Sequence, residues 1–370
     1  MDAVERAKQN LRLHAAEPLN GEPPPDRLAA FVTSQRDFYV RCHGAIPDLD
    51  DDHSVEIAGH VERPGSIGVA DFKASFPEHR VTAVLQCAGN RRSELQVVAK
   101  TTGDPWGVGA IGCAEWTGVR LADILRSVGF EEAKARFVAF RGADEVEVEG
   151  HHAPFEISIA IEKAMHPDTL LAFAMNGEPL LPEHGAPLRL VVPGYAGVRS
   201  AKWLTRIEVR HRPSEAPMQA MDYKLFPPFV AKEEADWSTG LPIEAMPLNS
   251  AITTPDLAKP LPSGKLRLTG YAVAYGRTVA RVDISINGGR SWQAAAIDRP
   301  AAGPWAGRSG RPTSSSRLAG TRSARAPWTR PARPSPPDQT TAGTSPGTCR
   351  RRGTGRPSRW NRPSRTDRSR

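Results

Sequence analysis

Short apolar runs punctuated by Gly and Pro, with one clear helical stripe among them, set the pattern of this chain. Ser54 to Gly59 alternates apolar and polar positions and predicts a strand closed off by the Arg63-Pro64-Gly65 turn. Val81 to Gln86 predicts a second strand that runs straight into Cys87. Leu121, Ile124, Leu125 and Val128 recur at i, i+3, i+4 and i+7, the stripe of an amphipathic helix, and Gly129 supplies its stop. Phe137 to Phe140 and Leu170 to Met175 predict buried strands, the latter followed by an Asn176-Gly177 hairpin turn. Leu188 to Val192 is apolar and β-branched until Pro193-Gly194 breaks it. Strands and helices mix without a steady βαβ rhythm, so the fold class is α+β.

The pattern changes at both ends. Residues 1–35 show little periodicity around Pro23-Pro24-Pro25 and predict an N-terminal arm. Pro242 to Pro262 marks a joint, placing a main domain at 36–245 and a β domain at 246–300. Within the latter, Lys265 to Val273 alternates, and Val282, Ile284 and Ile286 share one face of a strand. Asn287-Gly288-Gly289 turns the chain, and Ser291 to Ile297 begins a return strand. Three strands make a β-sandwich that is started but not closed.

Composition alters this picture mainly at the C-terminus. The formal charge of +8 is misleading, because residues 301–370 hold sixteen Arg and two acids, leaving residues 1–300 at −6. That tail has no Val, Ile, Phe, Tyr or Met, and Leu318 is its only branched aliphatic residue, so disorder is expected from 301 onward. Its Arg, Pro, Ser, Gly and Thr bias without Lys is that of a GC-rich reading frame read out of phase. A basic tail for nucleic acid is the alternative reading, and the abruptness of the change tells against it. Four cysteines (Cys42, Cys87, Cys113, Cys349) form no Cys-x-x-Cys pair and no secreted disulfide framework. With neither a basic-then-apolar leader nor an apolar run of about 18 residues, a soluble, cytoplasmic protein is expected.

The candidate chemistry centres on Cys87-Ala88-Gly89-Asn90-Arg91-Arg92. A thiolate is a soft metal ligand, and neighbouring guanidinium groups hold oxyanions in a planar fork. The combination points to redox chemistry at a metal beside an anion; a packed thiol next to a surface arginine pair is the plain alternative. His151-His152 suggests a metal pair, but neighbouring residues on a strand face opposite ways, and a loop is expected there.

Several ordered segments resemble the sulfite oxidase family of molybdenum enzymes from Arg36 to Arg299. They are Phe38-Tyr39-Val40-Arg41-Cys42-His43-Gly44, Leu85-Gln86-Cys87-Ala88-Gly89-Asn90-Arg91-Arg92 and His184-Gly185-Ala186-Pro187-Leu188-Arg189. Val192-Pro193-Gly194, Arg199-Ser200-Ala201-Lys202-Trp203, Asp222-Tyr223-Lys224 and Asn287-Gly288-Gly289-Arg290-Ser291-Trp292 follow. The resemblance implies a molybdopterin-binding α+β domain followed by an immunoglobulin-like dimerisation domain, incomplete here. It makes Cys87 the protein ligand to one molybdenum per chain. It assigns contacts to the molybdopterin to Arg41, His43, Asp144, His184, Arg189, Ser200 and Lys202, and the substrate pocket to Arg41, Arg92, Trp106 and Tyr223. Position 42 departs from the family, which often has asparagine where this chain has cysteine. The implied reaction is oxidation of sulfite to sulfate by oxygen-atom transfer. Electrons would go to an external acceptor, a cytochrome or dioxygen, because no haem or flavin domain is seen. Nitrate or a sulfoxide is the substrate class next in line, and a catalytically impaired product with a basic tail is the other alternative. A family-type homodimer is implied, weakened by the unfinished β domain; no membrane or nucleic-acid partner is expected.

Overall fold

The computed structural model describes residues 2–50, 52–96, 101–227, 229–256, 260–261, 264–298, 303–311 and 316–318. Helix α1 (Ala3–Asn10) is capped by Asp2, whose side chain accepts from the Glu5 N–H at 2.8 Å. Strands β1 (Arg12–Ala16) and β2 (Leu19–Glu22) then form a hairpin, and β2 pairs with β3 (Val40–Arg41). The segment expected to be an arm is therefore built into the main domain. Its turn chemistry and short strands give no periodicity, but all four residues of β2 are buried.

Ten further strands make the body of that domain. They are β4 (Ser54–Gly59), β5 (Gly65–Gly68), β6 (Glu78–Gln86), β7 (Ile111–Arg120) and β8 (Phe137–Val148), then β9 (His151–Ala160), β10 (Leu170–Met175), β11 (Glu178–Pro179), β12 (Arg189–Val191) and β13 (Leu204–Arg210). One sheet runs β5-β4-β13-β8-β9, with β13 parallel to β4 and the other neighbours antiparallel. The other runs β11-β10-β7-β6, with β12 also on β10. Helices α2 (Val69–Ser75), α3 (Arg92–Leu95) and α4 (Leu121–Ser127) lie between strands in sequence.

Helix α4 shows how the pattern becomes packing. Leu121, Ile124 and Leu125 are fully buried in one cluster with Phe72, Val138, Phe140, Ile157 and Ile207. Each of these three side chains stabilises the fold by about 2 kcal/mol through burial. Gly129, at φ +68°, ends the helix as its spacing predicts, in a conformation that a Cβ would strain. A second cluster gathers Phe38, Tyr39, Leu85, Cys87, Trp106 and Trp116 behind the β6 end. His151 and His152 open β9, exposed, rather than lying in a loop; pairing with Glu147 and Val148 of β8 makes them strand.

Beyond residue 245 the chain is β, and richer than three strands. Asn249–Thr254, Thr269–Val273, Arg308–Arg311 and Ala296–Asp298 form one sheet in that order. Gly264–Leu266 pairs with Ser316–Leu318, and Asp283–Ile284 with Gln293–Ala294. The disorder expected from 301 onward thus does not hold for 303–311 and 316–318. Backbone pairing does not need the apolar side chains whose lack predicted disorder. Trp305 is tied in firmly: its indole donates to Asp168 at 2.7 Å, its carbonyl accepts from the Val84 N–H at 2.9 Å, and Lys163 Nζ sits 4.6 Å from its ring. The rest of the tail lies outside the described residues.

Candidate active site

Strand β6 carries its last apolar residues, Val84 and Leu85, into the core and delivers Cys87 to a tight turn. The Cys87 N–H donates to Ala110 at 2.9 Å, and the Gly89 N–H points back at Cys87 Sγ at 3.4 Å. Burial pushes the Cys87 thiol up, and the Arg41 cation, the Gly89 N–H and the Arg92 cation pull the other way. A metal ion would complete the deprotonation. Gly89 is required by close approach: a Cβ there would stand 2.7 Å from Arg92 Nη2 and 2.9 Å from Trp106 Cδ1.

Cys87 opens onto a cavity of about 640 Å³, counting its mouth. Of the eleven site residues expected from sequence, nine line it: Arg41, His43, Cys87, Asp144, His184, Arg189, Ser200, Lys202 and Tyr223. Arg92 and Trp106 stand beside it, packed on Gly89. Arg92 Nη1 donates to the Asp104 carbonyl at 2.9 Å. At the Cys87 end, Tyr223 Oη lies 2.7 Å from His43 Nε2. Burial, chiefly, raises the Tyr223 phenol, so it stays protonated, and burial together with Arg41 and Lys202 keeps His43 neutral. Tyr223 is held at φ +51°, a left-handed conformation uncommon for a bulky residue.

The other end is a cradle of buried cations fixed by carbonyls. Arg189 donates to His184 O at 2.8 Å and Ser200 O at 3.2 Å and sits 5.0 Å from the Trp116 ring centre. Burial brings its guanidinium down to about 10, which still leaves it charged at neutral pH. Lys202 donates to Glu183 O at 3.0 Å and lies 3.1 Å from Cys42 Sγ. His184 Nε2–H donates to Gln35 O at 2.7 Å, and burial pushes the imidazole down to about 4. Ser200 Oγ accepts the Val192 N–H at 3.0 Å. Asp144 Oδ1 is buried without a hydrogen-bond partner, and burial raises its carboxyl to about 6 against the pull of Lys202.

An orphaned buried acceptor, three charged donors and a soft thiol around one cavity suit a large polar anionic ligand that also carries a metal. Molybdopterin, with its phosphate, pterin and dithiolene-bound molybdenum, fits that donor set. Among the described residues no group of three or more His, Cys, Asp or Glu side chains is arranged to bind a metal ion alone. A single cysteine suffices where an organic chelate supplies the other ligands, as the resemblance implies.

Sequence reasoning missed residues of the wall and of the layer behind it. Phe38 and Tyr39 line the cavity, and their signal was available next to Arg41. Gln35 spans two segments, donating to Pro179 O at 2.9 Å and accepting from Leu181 N–H at 3.1 Å, with no local sequence mark. Arg91, left without a role by sequence, sits at φ +68° and turns away from the cavity. It pairs with Glu94 at 2.6 Å and donates to Asn249 at 3.2 Å and Ser250 at 2.6 Å in the β domain.

Comparison with known proteins shows the family to which the chain is similar. Residues 43–218 match the oxidoreductase molybdopterin binding domain, and residues 241–321 the Mo-co oxidoreductase dimerisation domain. A sulfite oxidase of Arabidopsis thaliana is 41% identical over 295 residues, covering 76% of this chain and 75% of the relative. A sulfite oxidase of Gallus gallus is 40% identical, with 78% of this chain matching 63% of that longer protein. The sulfane dehydrogenase SoxCD of Paracoccus pantotrophus superposes with a TM-score of 0.69 at 26% identity, over 84% of this chain and 77% of that one. Fold and site together define a molybdopterin-binding oxidoreductase of the oxygen-atom-transfer class. The chain belongs to the sulfite oxidase family.

Proposed function

We propose that this enzyme oxidises sulfite to sulfate and passes the two electrons to a separate acceptor. The observation that carries the reading is the grouping of Arg41 and Tyr223 with Cys87 on one cavity, with Arg92 packed on Gly89 beside it, and the presence of Asp144, Arg189 and Lys202 in the same lining. Molybdopterin, when bound with Cys87 as the protein's ligand to its metal, supplies the oxygen-atom and two-electron exchange; water and sulfite give sulfate, two protons and two electrons. Arg189, Lys202, His184, Ser200, His43 and Asp144 would hold the cofactor.

The chain's own residues do the rest. Arg41 and Arg92 hold oxygens of the oxyanion by charge-assisted hydrogen bonds, which fixes its orientation. Tyr223, kept a phenol by burial and set by His43, donates to the bound anion rather than carrying charge of its own. Trp106, buried against Gly89, closes the wall and excludes water. Fixed cations that need no rearrangement are the protein's largest contribution to the rate. A homodimer formed through the β domain belongs to the same proposal, supported by the match at 241–321. Among the described residues no helix is long and apolar enough to cross a membrane.

The test is metal analysis of the purified full chain together with turnover of sulfite, nitrate and methionine sulfoxide, each with a dye as electron partner. One molybdenum per chain and sulfite-dependent dye reduction are expected. A molybdenum-loaded protein that turns over nitrate or the sulfoxide but not sulfite would overturn the substrate. A protein without molybdopterin that binds DNA in a salt-sensitive way would overturn the function.

A further inference from the structure

The N-terminal hairpin touches one cation of the anion pocket, Arg41, and the loop that holds the other, Arg92. Strand alternation places Asn20 and Glu22 of β2 on one face, and both are almost wholly buried. Asn20 Oδ1 accepts from the Cys42 N–H at 2.9 Å and from Arg41 Nη1 at 3.3 Å, opposite Arg41 in the β2–β3 ladder. Arg41 Nη1 also donates to the Cys42 carbonyl. The Glu22 carboxylate accepts the Gly107 N–H at 2.6 Å and the Gly109 N–H at 2.9 Å, and its Oε1 lies 3.1 Å from His14 Nε2. Both glycines allow that approach, since a Cβ would stand 3.1 Å from Glu22 Oε1 at Gly107 and 3.0 Å from Oε2 at Gly109.

The loop that Glu22 grips is the one that sets Arg92. Within it the Asp104 carbonyl takes Arg92 Nη1 at 2.9 Å, Trp106 O takes the Ser93 N–H at 3.0 Å, and Gly107 O takes the Arg91 N–H at 2.7 Å. The His14 ring packs edge-on against Trp106, 4.6 Å between centres. We propose that the hairpin is a positioning element of the anion pocket: Asn20 sets the Arg41 guanidinium, and Glu22 with His14 fixes the Asp104–Gly109 loop that sets Arg92 and Trp106. The hairpin itself touches neither substrate nor cofactor. An amide cannot replace the Glu22 carboxylate, because its NH₂ would face a backbone N–H where an acceptor is needed.

This inference rests on the reading of Arg41 and Arg92 as the anion clamp, and the test separates the two. Inorganic sulfate, the expected product, is titrated calorimetrically into the molybdenum-loaded full chain and its Glu22→Gln variant, alongside molybdenum content and the split of sulfite KM from kcat. The expected result is a sulfate affinity about tenfold weaker in Glu22→Gln, a KM raised by a similar factor, and unchanged molybdenum content. Asn20→Ala, which removes the shared acceptor of Arg41 Nη1 and the Cys42 N–H without touching the Asp104–Gly109 loop, is expected to act alike and keeps the test decisive should Glu22→Gln fail to fold. Sulfate affinity and KM unchanged in both variants would overturn the positioning role and leave the clamp standing. No sulfate binding by the unsubstituted protein would overturn the clamp and the hairpin's role with it.

Discussion

The two ends of the cavity are held in different ways. At the cradle end, Arg189, Lys202 and His184 lie within nineteen residues of sequence, 184–202, and give their protons to main-chain carbonyls of 35, 183, 184 and 200. Those acceptors are main-chain atoms of the fold and cannot turn away as a side chain can. At the Cys87 end, Arg41, Arg92 and Tyr223 come from distant segments. Arg41 and Arg92 also donate to main-chain carbonyls, of Cys42 and Asp104, but side chains take part in setting this end: Asn20 accepts from Arg41, and His43 lies against Tyr223. A large cofactor that stays bound suits the first construction; a small anion that enters and leaves suits the second.

The largest expected effect falls on the thiol itself. Cys87→Ser should lower turnover by roughly a thousandfold or more, as removal of a residue on which the whole centre depends does. Cys42→Ser, beside Lys202 and outside the Cys87 motif, should keep its molybdenum. Metal analysis with steady-state kinetics checks both, and a metal-free Cys42→Ser protein would make Cys42 the better ligand.

The cradle also has a pH signature. His184 protonates at about 4 in the fold, against 6.5 when unfolded, so the unfolded chain takes up a proton first. Stability present above pH 6.5 is lost as pH falls toward 4, by roughly 3 kcal/mol. Asp144, raised to about 6 from 3.8, works the other way: the fold takes the proton first and gains stability as pH falls below 6. Asp144→Asn in the cofactor-free protein should therefore lose stability more steeply than the parent between pH 6.5 and 4, and His184→Gln less steeply. Urea unfolding at several pH values checks the two slopes; identical slopes would mean that neither group is as buried as described.

Smaller effects are expected where the β domain props the Cys87 turn. Tyr271 accepts from Asn90 Nδ2 at 2.9 Å and donates to Val108 O at 3.1 Å, while Tyr275 donates to Gln86 at 2.7 Å. Tyr271→Phe should destabilise the protein by about 1 kcal/mol, read by urea unfolding at neutral pH. It should also raise KM more than it lowers kcat, because it frees the turn without touching the cradle.

What the sequence disclosed follows the same division. Cys87 and Arg92 were legible because the turn needs Gly89 locally and the motif is contiguous, whereas the turn of Arg91 toward Asn249 and Ser250 was not. The 184–202 cradle was legible for the same reason. The hairpin was not: Glu22 meets Gly107 across 85 positions, and four buried residues carry no period that alternation could reveal. At 303–311 and 316–318 the expected disorder does not hold, because composition describes what a segment can bury, not what it pairs with. Trp305 reaches Asp168 across 137 positions, a contact no local pattern could announce. Helix α4 and strands β4 and β10 came out as read because their burial is one-sided and periodic, or continuous.

The division between a carbonyl-held cofactor cradle and a propped anion clamp is tested most directly by one paired measurement: molybdenum and pterin content, with sulfite KM, for Arg189→Met and Arg92→Gln. Arg189→Met should lose cofactor, whereas Arg92→Gln should keep it in full and raise KM by at least about tenfold. Cofactor loss in Arg92→Gln together with full retention in Arg189→Met would contradict the account.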